Sequence, residues 1–344
     1  MSTNRTVHLT GLIAAPFTAM HGDGSVNLDM VPRQAEDLVQ SGVSGVFICG
    51  TTGEGPSLTT EERMQLAVEW RRAAGSELKV IVHVGHTSLL EAQRLAEHAQ
   101  RIGADAVATM APFFFKPAGV GDLVEFCAEV ACAAPELPFY FYHIPSMTGV
   151  DVPMHDFLAE AAGRIPNLAG IKYTHEDLMD YSRCVGFDGG RFNLLFGRDE
   201  MLLAALTVGA EGAVGSTYNF AAPYYHEVIR AYRAGDLQAA SKAGQWLVTQ
   251  LEGGDHLDDG SGRTFRLQRG SNLLGRGQDA AFRLPDTGVS RQHADIRFDG
   301  REAVLTDLGS TNGTTVNGGP VQDWQLADGD VIRVGHSEIT VRFD

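Results

Sequence analysis

Lysine is scarce in this chain. Only Lys79, Lys116, Lys172 and Lys242 carry it, and none lies beyond Gly253, where ten arginines and fourteen acidic residues stand. An arginine-only segment marks a module of different character from the rest. No run of 18 or more apolar residues occurs, which excludes a conventional membrane-spanning helix. The opening Met1-Ser2-Thr3-Asn4-Arg5-Thr6 lacks the charged-then-apolar layout of a signal peptide. The four cysteines, Cys49, Cys127, Cys132 and Cys184, lack the spacing of a metal knuckle or a disulfide framework. They are expected to be reduced and core-filling, and the chain to be cytoplasmic. Positive charge is also short. A net charge of −16 opposes nonspecific binding to nucleic acid or to a membrane surface, so neither is expected as a partner.

What is present suits two domains. The length of 344 residues exceeds one small domain, and 44% apolar residues suffice for a substantial core. Over the first 252 residues, apolar runs of strand length alternate with helical patterns. The strands expected are Gly11–Pro16, Gly45–Cys49, Lys79–Val84, Ala106–Met110, Pro138–Tyr142, Leu168–Lys172, Asn193–Phe196 and Gly212–Val214. Helices are expected between them, for example over Glu61–Ala74, Leu90–Ile102 and Met201–Thr207, with Thr59-Thr60-Glu61-Glu62 as a capping box. Continuous apolar strands alternating with helices indicate parallel strands covered on both faces. Eight such units predict an α/β fold of the (β/α)₈ barrel type. A doubly wound open sheet is the alternative, but no dinucleotide-binding glycine fingerprint follows the first strand.

In such a barrel, chemistry gathers at the C-terminal ends of the strands. Five of those ends are polar. They are Gly50-Thr51-Thr52-Gly53-Glu54, Tyr142-His143-Ile144-Pro145, Gly170-Ile171-Lys172-Tyr173-Thr174, Gly197-Arg198-Asp199-Glu200 and Gly215-Ser216-Thr217-Tyr218-Asn219. Lys172 ends an apolar strand, where an amine must reach water, find a carboxylate, or lose its proton and serve as a Schiff-base nucleophile. The Gly/Thr loop is either an ordinary turn before a capped helix or a cradle for a carboxylate. Tyr142 is either a satisfied core phenol or a proton shuttle. Asp199-Glu200 either supply paired acceptors to a polyol or carry first-turn acidic charge. Ser216 is a substrate contact or a turn residue. His83 and His86 lack a third ligand, and no metal site is expected.

The spaced motifs carry a resemblance. Residues 6–252 resemble the dihydrodipicolinate synthase/N-acetylneuraminate lyase family of pyruvate-dependent class I aldolases, most nearly its lyase branch. The resemblance implies that Lys172 forms the Schiff base and Tyr142 relays protons. It implies that Thr51 and Thr52 hold the carboxylate, and that Thr174, Gly197, Asp199, Glu200 and Ser216 contact the sugar chain. The reaction implied is reversible cleavage of N-acetylneuraminate to N-acetylmannosamine and pyruvate, with no cofactor beyond the covalent lysine adduct. A homo-oligomer assembled through the barrel is expected. Two departures favour the lyase branch over the synthase. Met147 stands where the synthase has an arginine, and Phe113-Phe114-Phe115 offers no hydroxyl where the synthase uses a tyrosine. In a third departure, the family's further C-terminal helices are missing after Leu237–Glu252.

The small, acidic stretch 253–262 reads as a linker. Beyond it, strands are expected over Thr264–Gln268, Ala294–Phe298, Ala303–Asp307, Val331–Val334 and Glu338–Phe343. Turn signals fall at Asn312-Gly313, Asn317-Gly318 and Asp328-Gly329, and together these predict an all-β sandwich over residues 263–344. Gly275-Arg276-Gly277, Ser290-Arg291-Gln292-His293 and Ser310-Thr311-Asn312-Gly313-Thr314 resemble the loops of a forkhead-associated (FHA) domain. That resemblance implies a phosphothreonine-containing protein or peptide as partner. Arg276 and Ser290 would hold phosphate, with Arg291 in the same loop set and Thr311 adding a hydroxyl. Asn312 would hold the peptide backbone, and His293 would brace the loops. Two functional readings follow. One is an aldolase carrying a phosphothreonine reader, joined naturally or as an engineered chimera. The other is a non-enzymatic phosphothreonine-binding protein whose barrel is an oligomeric scaffold.

Overall fold

The computed structural model describes residues 8–251, 256–258 and 264–343. Every apolar run expected to be a strand in the first part is one. They are β1 (Gly11–Ala14), β2 (Gly45–Ile48), β3 (Lys79–His83), β4 (Ala106–Met110), β5 (Phe139–His143), β6 (Leu168–Tyr173), β7 (Asn193–Phe196) and β8 (Gly212–Gly215). All are parallel and pair in chain order, and β8 returns to pair with β1, closing the barrel. The helices are α1 (Val31–Gln40), α2 (Thr60–Ala74), α3 (Leu89–Arg101), α4 (Val120–Cys132), α5 (Pro145–Thr148), α6 (Met154–Ala161), α7 (Leu178–Gly186), α8 (Leu202–Thr207), α9 (Tyr218–Arg233) and α10 (Leu237–Leu251). Helix α2 starts at the expected capping box. Thr59 Oγ1 accepts from the Glu62 N–H, and the Glu62 carboxylate accepts from the Thr59 N–H at 2.8 Å. The barrel interior is a packed core of Ile13, Phe47, Ile81, Ala108, Tyr140 and Leu195 with their neighbours, not a pore.

One irregularity decides what the interior contains. Along β5, Tyr140, Tyr142 and Ile144 face inward. Their register with β6 runs Phe139↔Leu168, then Tyr140↔Gly170 and Tyr142↔Lys172, so one extra β6 residue, Ala169, is accommodated. Ala169 itself packs inside. Strict alternation from Ala169 would send Ile171 inward and Lys172 outward. The bulge resets the parity and turns Lys172 into the barrel. It needs Gly170, because a Cβ there would overlap the Asn193 carbonyl on β7.

The chain divides into two compact units between Gly244 and Gln245, within α10. The second unit holds β9 (His256–Asp258), β10 (Thr264–Arg266), β11 (Gly270–Gly275), β12 (Phe282–Arg283), β13 (Ala294–Phe298), β14 (Ala303–Asp307), β15 (Thr314–Val316), β16 (Gly319–Val321), β17 (Asp323–Gln325), β18 (Val331–Val334) and β19 (Ser337–Arg342). They form a six-stranded sheet, β10-β9-β19-β18-β15-β16, and a five-stranded sheet, β12-β11-β13-β14-β17. Leu274, Ile296, Leu305, Ile332, Ile339 and Val341 fill the core of this unit. Asn317 (φ 51°) and Gly318 (φ 82°) make the two-residue turn of the β15–β16 hairpin.

The stretch read as a linker is corrected here in its middle. His256–Asp258 is a strand, paired on one side with β10 and on the other with β19. Leu257 is fully buried in the core of this unit. A single apolar residue among acidic ones gives no alternation to read; its burial comes from the flanking strands. The rest of 253–262 lies outside the described residues. Among the described residues no helix is long and apolar enough to cross a membrane.

Candidate functional site

The Lys172 side chain is 4% exposed. Its Nζ lies 3.8 Å from the centroid of the Phe47 ring and 4.0 Å from that of Tyr142. Burial pushes its pKa from the ordinary 10.5 down to about 7, against a smaller opposing pull from the Asp199 charge. The two ring faces favour the ammonium form, but neither accepts its protons as a carboxylate would. The amine is dry and close to half neutral near pH 7.

Tyr142 stands beside it in register on β5. Its hydroxyl pairs with Thr51 Oγ1 at 3.2 Å, and burial raises its pKa, with the Thr51 hydrogen bond opposing. Thr174 Oγ1 is buried and completes no hydrogen bond among the described residues. It fills the space over Gly197, where a Cβ would overlap it. Thr51 belongs to a loop bent back on itself. Cys49 and Glu54 adopt φ values of 56° and 53°. The Gly55 N–H donates to Gly50 O at 3.0 Å, and a Cβ at Gly55 would overlap the Cys49 carbonyl. Thr18 Oγ1 donates to Gly53 O at 2.6 Å. The loop thus presents successive Thr51, Thr52 and Gly53 N–H groups that donate to no protein acceptor among the described residues. Such a run of free amides suits an anion.

Asp199 and Glu200 are not an equivalent pair. Asp199 is 6% exposed, and Glu200 is exposed. Asp199 Oδ2 accepts from the Thr217 N–H at 2.8 Å and from Thr217 Oγ1 at 2.7 Å. Thr217 Oγ1 also lies 2.9 Å from the Tyr225 hydroxyl. With one proton on the threonine hydroxyl committed to the carboxylate, Tyr225 must be the donor to Thr217. Burial raises the Asp199 pKa, and Thr217 opposes it. Ser216 is half-buried at the same rim, its carbonyl bonded by Asn219 Nδ2, which also ties Ala15 O at the end of β1. Phe47, Thr217 and Tyr225 were not expected at the site. Phe47 was legible only as a core residue, and Thr217 and Tyr225 act behind Asp199. His83 and His86 do not converge. His83 Nδ1 is 2.9 Å from Cys49 O, and His86 Nδ1 accepts from the Ser88 N–H at 2.9 Å.

In the second unit the three motif loops meet. Gly275 and Gly277 lie against the Arg291 carbonyl, where a Cβ at either would collide. The Arg276 N–H donates to Ser290 O at 3.0 Å, and the side chains of Arg276 and Arg291 are exposed. Ser290 Oγ accepts from the Thr311 N–H at 3.1 Å. Asn312 Nδ2 donates to Gly288 O at 2.8 Å. His293, fully buried, accepts at Nδ1 from the Ser290 N–H at 3.0 Å, which leaves Nε2–H to donate to Gly313 O at 3.2 Å. One neutral imidazole therefore spans two of the loops.

The model of the Dihydrodipicolinate synthetase family matches residues 8–295. The chain belongs to that family. It is a family of Schiff-base lysine aldolases that work without a cofactor. Rat N-acetylneuraminate lyase is 46% identical over 235 residues, 67% of this chain and 73% of that protein. The human N-acetylneuraminate lyase is 45% identical over the same shares. Among solved structures, Proteus mirabilis N-acetylneuraminate lyase aligns with a TM-score of 0.70 at 40% identity, covering 71% of this chain and 83% of that one. A catalytic lysine mutant of Ruminococcus gnavus sialic acid aldolase aligns with a TM-score of 0.68 at 25% identity, covering 73% and 80%. The FHA domain model matches residues 272–335. The two family matches overlap over 272–295, where the structure has β11, β12 and β13 of the second unit, so the family's barrel ends earlier than its match.

Proposed function

We propose that the barrel unit is a sialic acid aldolase working through Lys172. The observation that carries this reading is the buried Lys172 amine, set against the Phe47 and Tyr142 rings, with its pKa lowered by burial to about 7. The neutral amine attacks the keto carbon of the substrate, and loss of water leaves a protonated imine. The carbon–carbon bond beside the carbinol then breaks. Its electron pair moves into the iminium to give an enamine, and the carbinol oxygen loses its proton as it becomes the aldehyde of N-acetylmannosamine. Tyr142, hydrogen-bonded to Thr51, relays that proton. Protonation of the enamine and hydrolysis release pyruvate and restore the amine.

The remaining residues take binding roles in the same reading. The free amides of the Thr51-Thr52-Gly53 loop hold the carboxylate, together with the threonine hydroxyls. Thr174 Oγ1, unpaired and buried, and Asp199, fixed by Thr217, face the sugar chain with Glu200 and Ser216 at the rim, and Gly197 leaves the room that Thr174 fills. The relatives named N-acetylneuraminate lyase support the choice of substrate. The second unit reads phosphothreonine, with exposed Arg276 and Ser290 at the phosphate, Arg291 and Thr311 beside them, and Asn312 on the peptide backbone. A cytoplasmic, homo-oligomeric protein belongs to the same proposal, with β9 (His256–Asp258) part of the reader.

Borohydride reduction in the presence of pyruvate tests the barrel. Peptide mass mapping is expected to find the pyruvate adduct on Lys172, and turnover of N-acetylneuraminate should be lost in Lys172→Met. An unmodified Lys172 under these conditions leaves the barrel as a scaffold. For the second unit, a phosphothreonine peptide should bind far more tightly than its unphosphorylated or phosphoserine counterparts. Equal binding of all three would remove the reader assignment.

A further inference from the structure

The outward face of β5 and β6 holds a cluster that the aldolase chemistry does not use. His143 ends β5 beside Tyr142, His175 lies two residues past β6, and Asp151 sits in the loop after α5. One ligand atom from each of the three falls within 4.8 Å of the others. His143 is only 2% exposed. The ring is fixed in place by Tyr173 and His175, whose centroids lie 5.1 and 5.5 Å away. His175 is oriented in turn. Its Nδ1 is 3.0 Å from Glu176 Oε2, and Glu176 is ion-paired with Arg198 at 2.8 Å. A carboxylate gripping one imidazole nitrogen is the arrangement that aims the other at a metal.

We propose that His143, Asp151 and His175 bind one transition-metal ion of the borderline class, zinc first. Two imidazoles and a carboxylate suit such an ion, and three protein ligands leave a position for water. Zinc–ligand distances of roughly 2.0–2.2 Å require the cluster to draw in by a modest amount. Asp151, exposed on its loop, and His175, 28% exposed, have room to do so. The bound ion would fasten the ends of β5 and β6 to the loop after α5, directly behind the wall that carries Tyr142 and Lys172. The site stands on its own geometry and holds whether or not Lys172 forms a Schiff base.

The test uses the full chain without an affinity tag, stripped of metal by a chelator and titrated with zinc chloride by calorimetry. One zinc ion per chain is expected at a saturable site. Asp151→Asn and His175→Ala, both at accessible positions, should each weaken it by roughly tenfold or more, and Glu176→Gln by a smaller factor. Cobalt(II) bound in place of zinc should show visible d–d bands that Asp151→Asn and His175→Ala abolish. Absence of a saturable site in the parent chain, or binding unchanged by both substitutions, overturns the proposal.

Discussion

Replacing Lys172 with methionine isolates the energetic consequence of burying its amine. Methionine keeps the volume and removes the charge. In the unfolded chain the lysine titrates near its ordinary value, and in the folded barrel near 7. Below pH 7 both states hold the proton, and folding bears the full cost of a dry ammonium. As pH rises from 7 towards 10.5 the unfolded chain binds more protons than the folded one, so wild-type stability rises across that window. The cost works out at about 5 kcal/mol at pH 6 and about 2 kcal/mol at pH 9, an upper bound because the ring faces return part of it. At pH 7 about half the folded amines are neutral, against ~1 in 3,000 for an unshifted lysine. Urea unfolding of the barrel, followed at pH 6 and pH 9, measures this. Lys172→Met should be more stable than wild type at pH 6, and the margin should shrink by up to about 3 kcal/mol at pH 9. Parallel stabilities at the two pH values would show that the amine is solvated, and the case for a poised nucleophile would fall with it.

Four further outcomes follow from the geometry. Gly170→Ala places a Cβ on the Asn193 carbonyl and must force β6 from β7. A loss of about 3 kcal/mol or more in denaturant unfolding is expected, along with loss of adduct formation as Lys172 shifts. Thr217→Val removes the hydroxyl donor to buried Asp199 without changing shape much. It should cost about 1–3 kcal/mol in unfolding and raise the Asp199 pKa further, moving the acid limb of the activity profile upward. In the second unit, His293→Ala opens the bridge between the Ser290 and Gly313 loops and should lower stability by about 2–4 kcal/mol as well as peptide affinity. Arg276→Ala should abolish phosphopeptide binding in titration while its melting temperature stays close to the parent's, since its side chain is exposed.

Much of the barrel was readable because its cause is local. Each parallel strand, covered on both faces, is a continuous apolar run such as Ala106–Met110, and a period-3.6 helix follows it. The capping box at Thr59 and Glu62 and the Asn317-Gly318 turn were equally plain, since both depend on side chains within four residues of each other. The polar strand ends could be named because a barrel places chemistry there. The FHA loops stood out through glycines whose backbones must approach Arg291 closely. Short strands were harder. Glycine-bearing Gly270–Gly275 and the three-residue β9, β15, β16 and β17 lack an alternation long enough to show, and each is stabilised by its partners in the sheet.

By itself the sequence determined the number and order of the barrel strands, the helix start at Thr59, and the two kinds of loop chemistry. All of these rest on periodicity or on residues a few positions apart. The tertiary structure alone decided which way Lys172 points, because one extra residue at Ala169 inverts the parity of β6, and that slip is defined only by pairing with β5. It decided that Lys172 Nζ lies in the corner between the Phe47 and Tyr142 rings, that Thr217 and Tyr225 stand behind Asp199, and that His143, Asp151 and His175 converge. Burial sets the pKa and barrel closure sets the neighbours, and both are properties of groups brought together from distant parts of the chain.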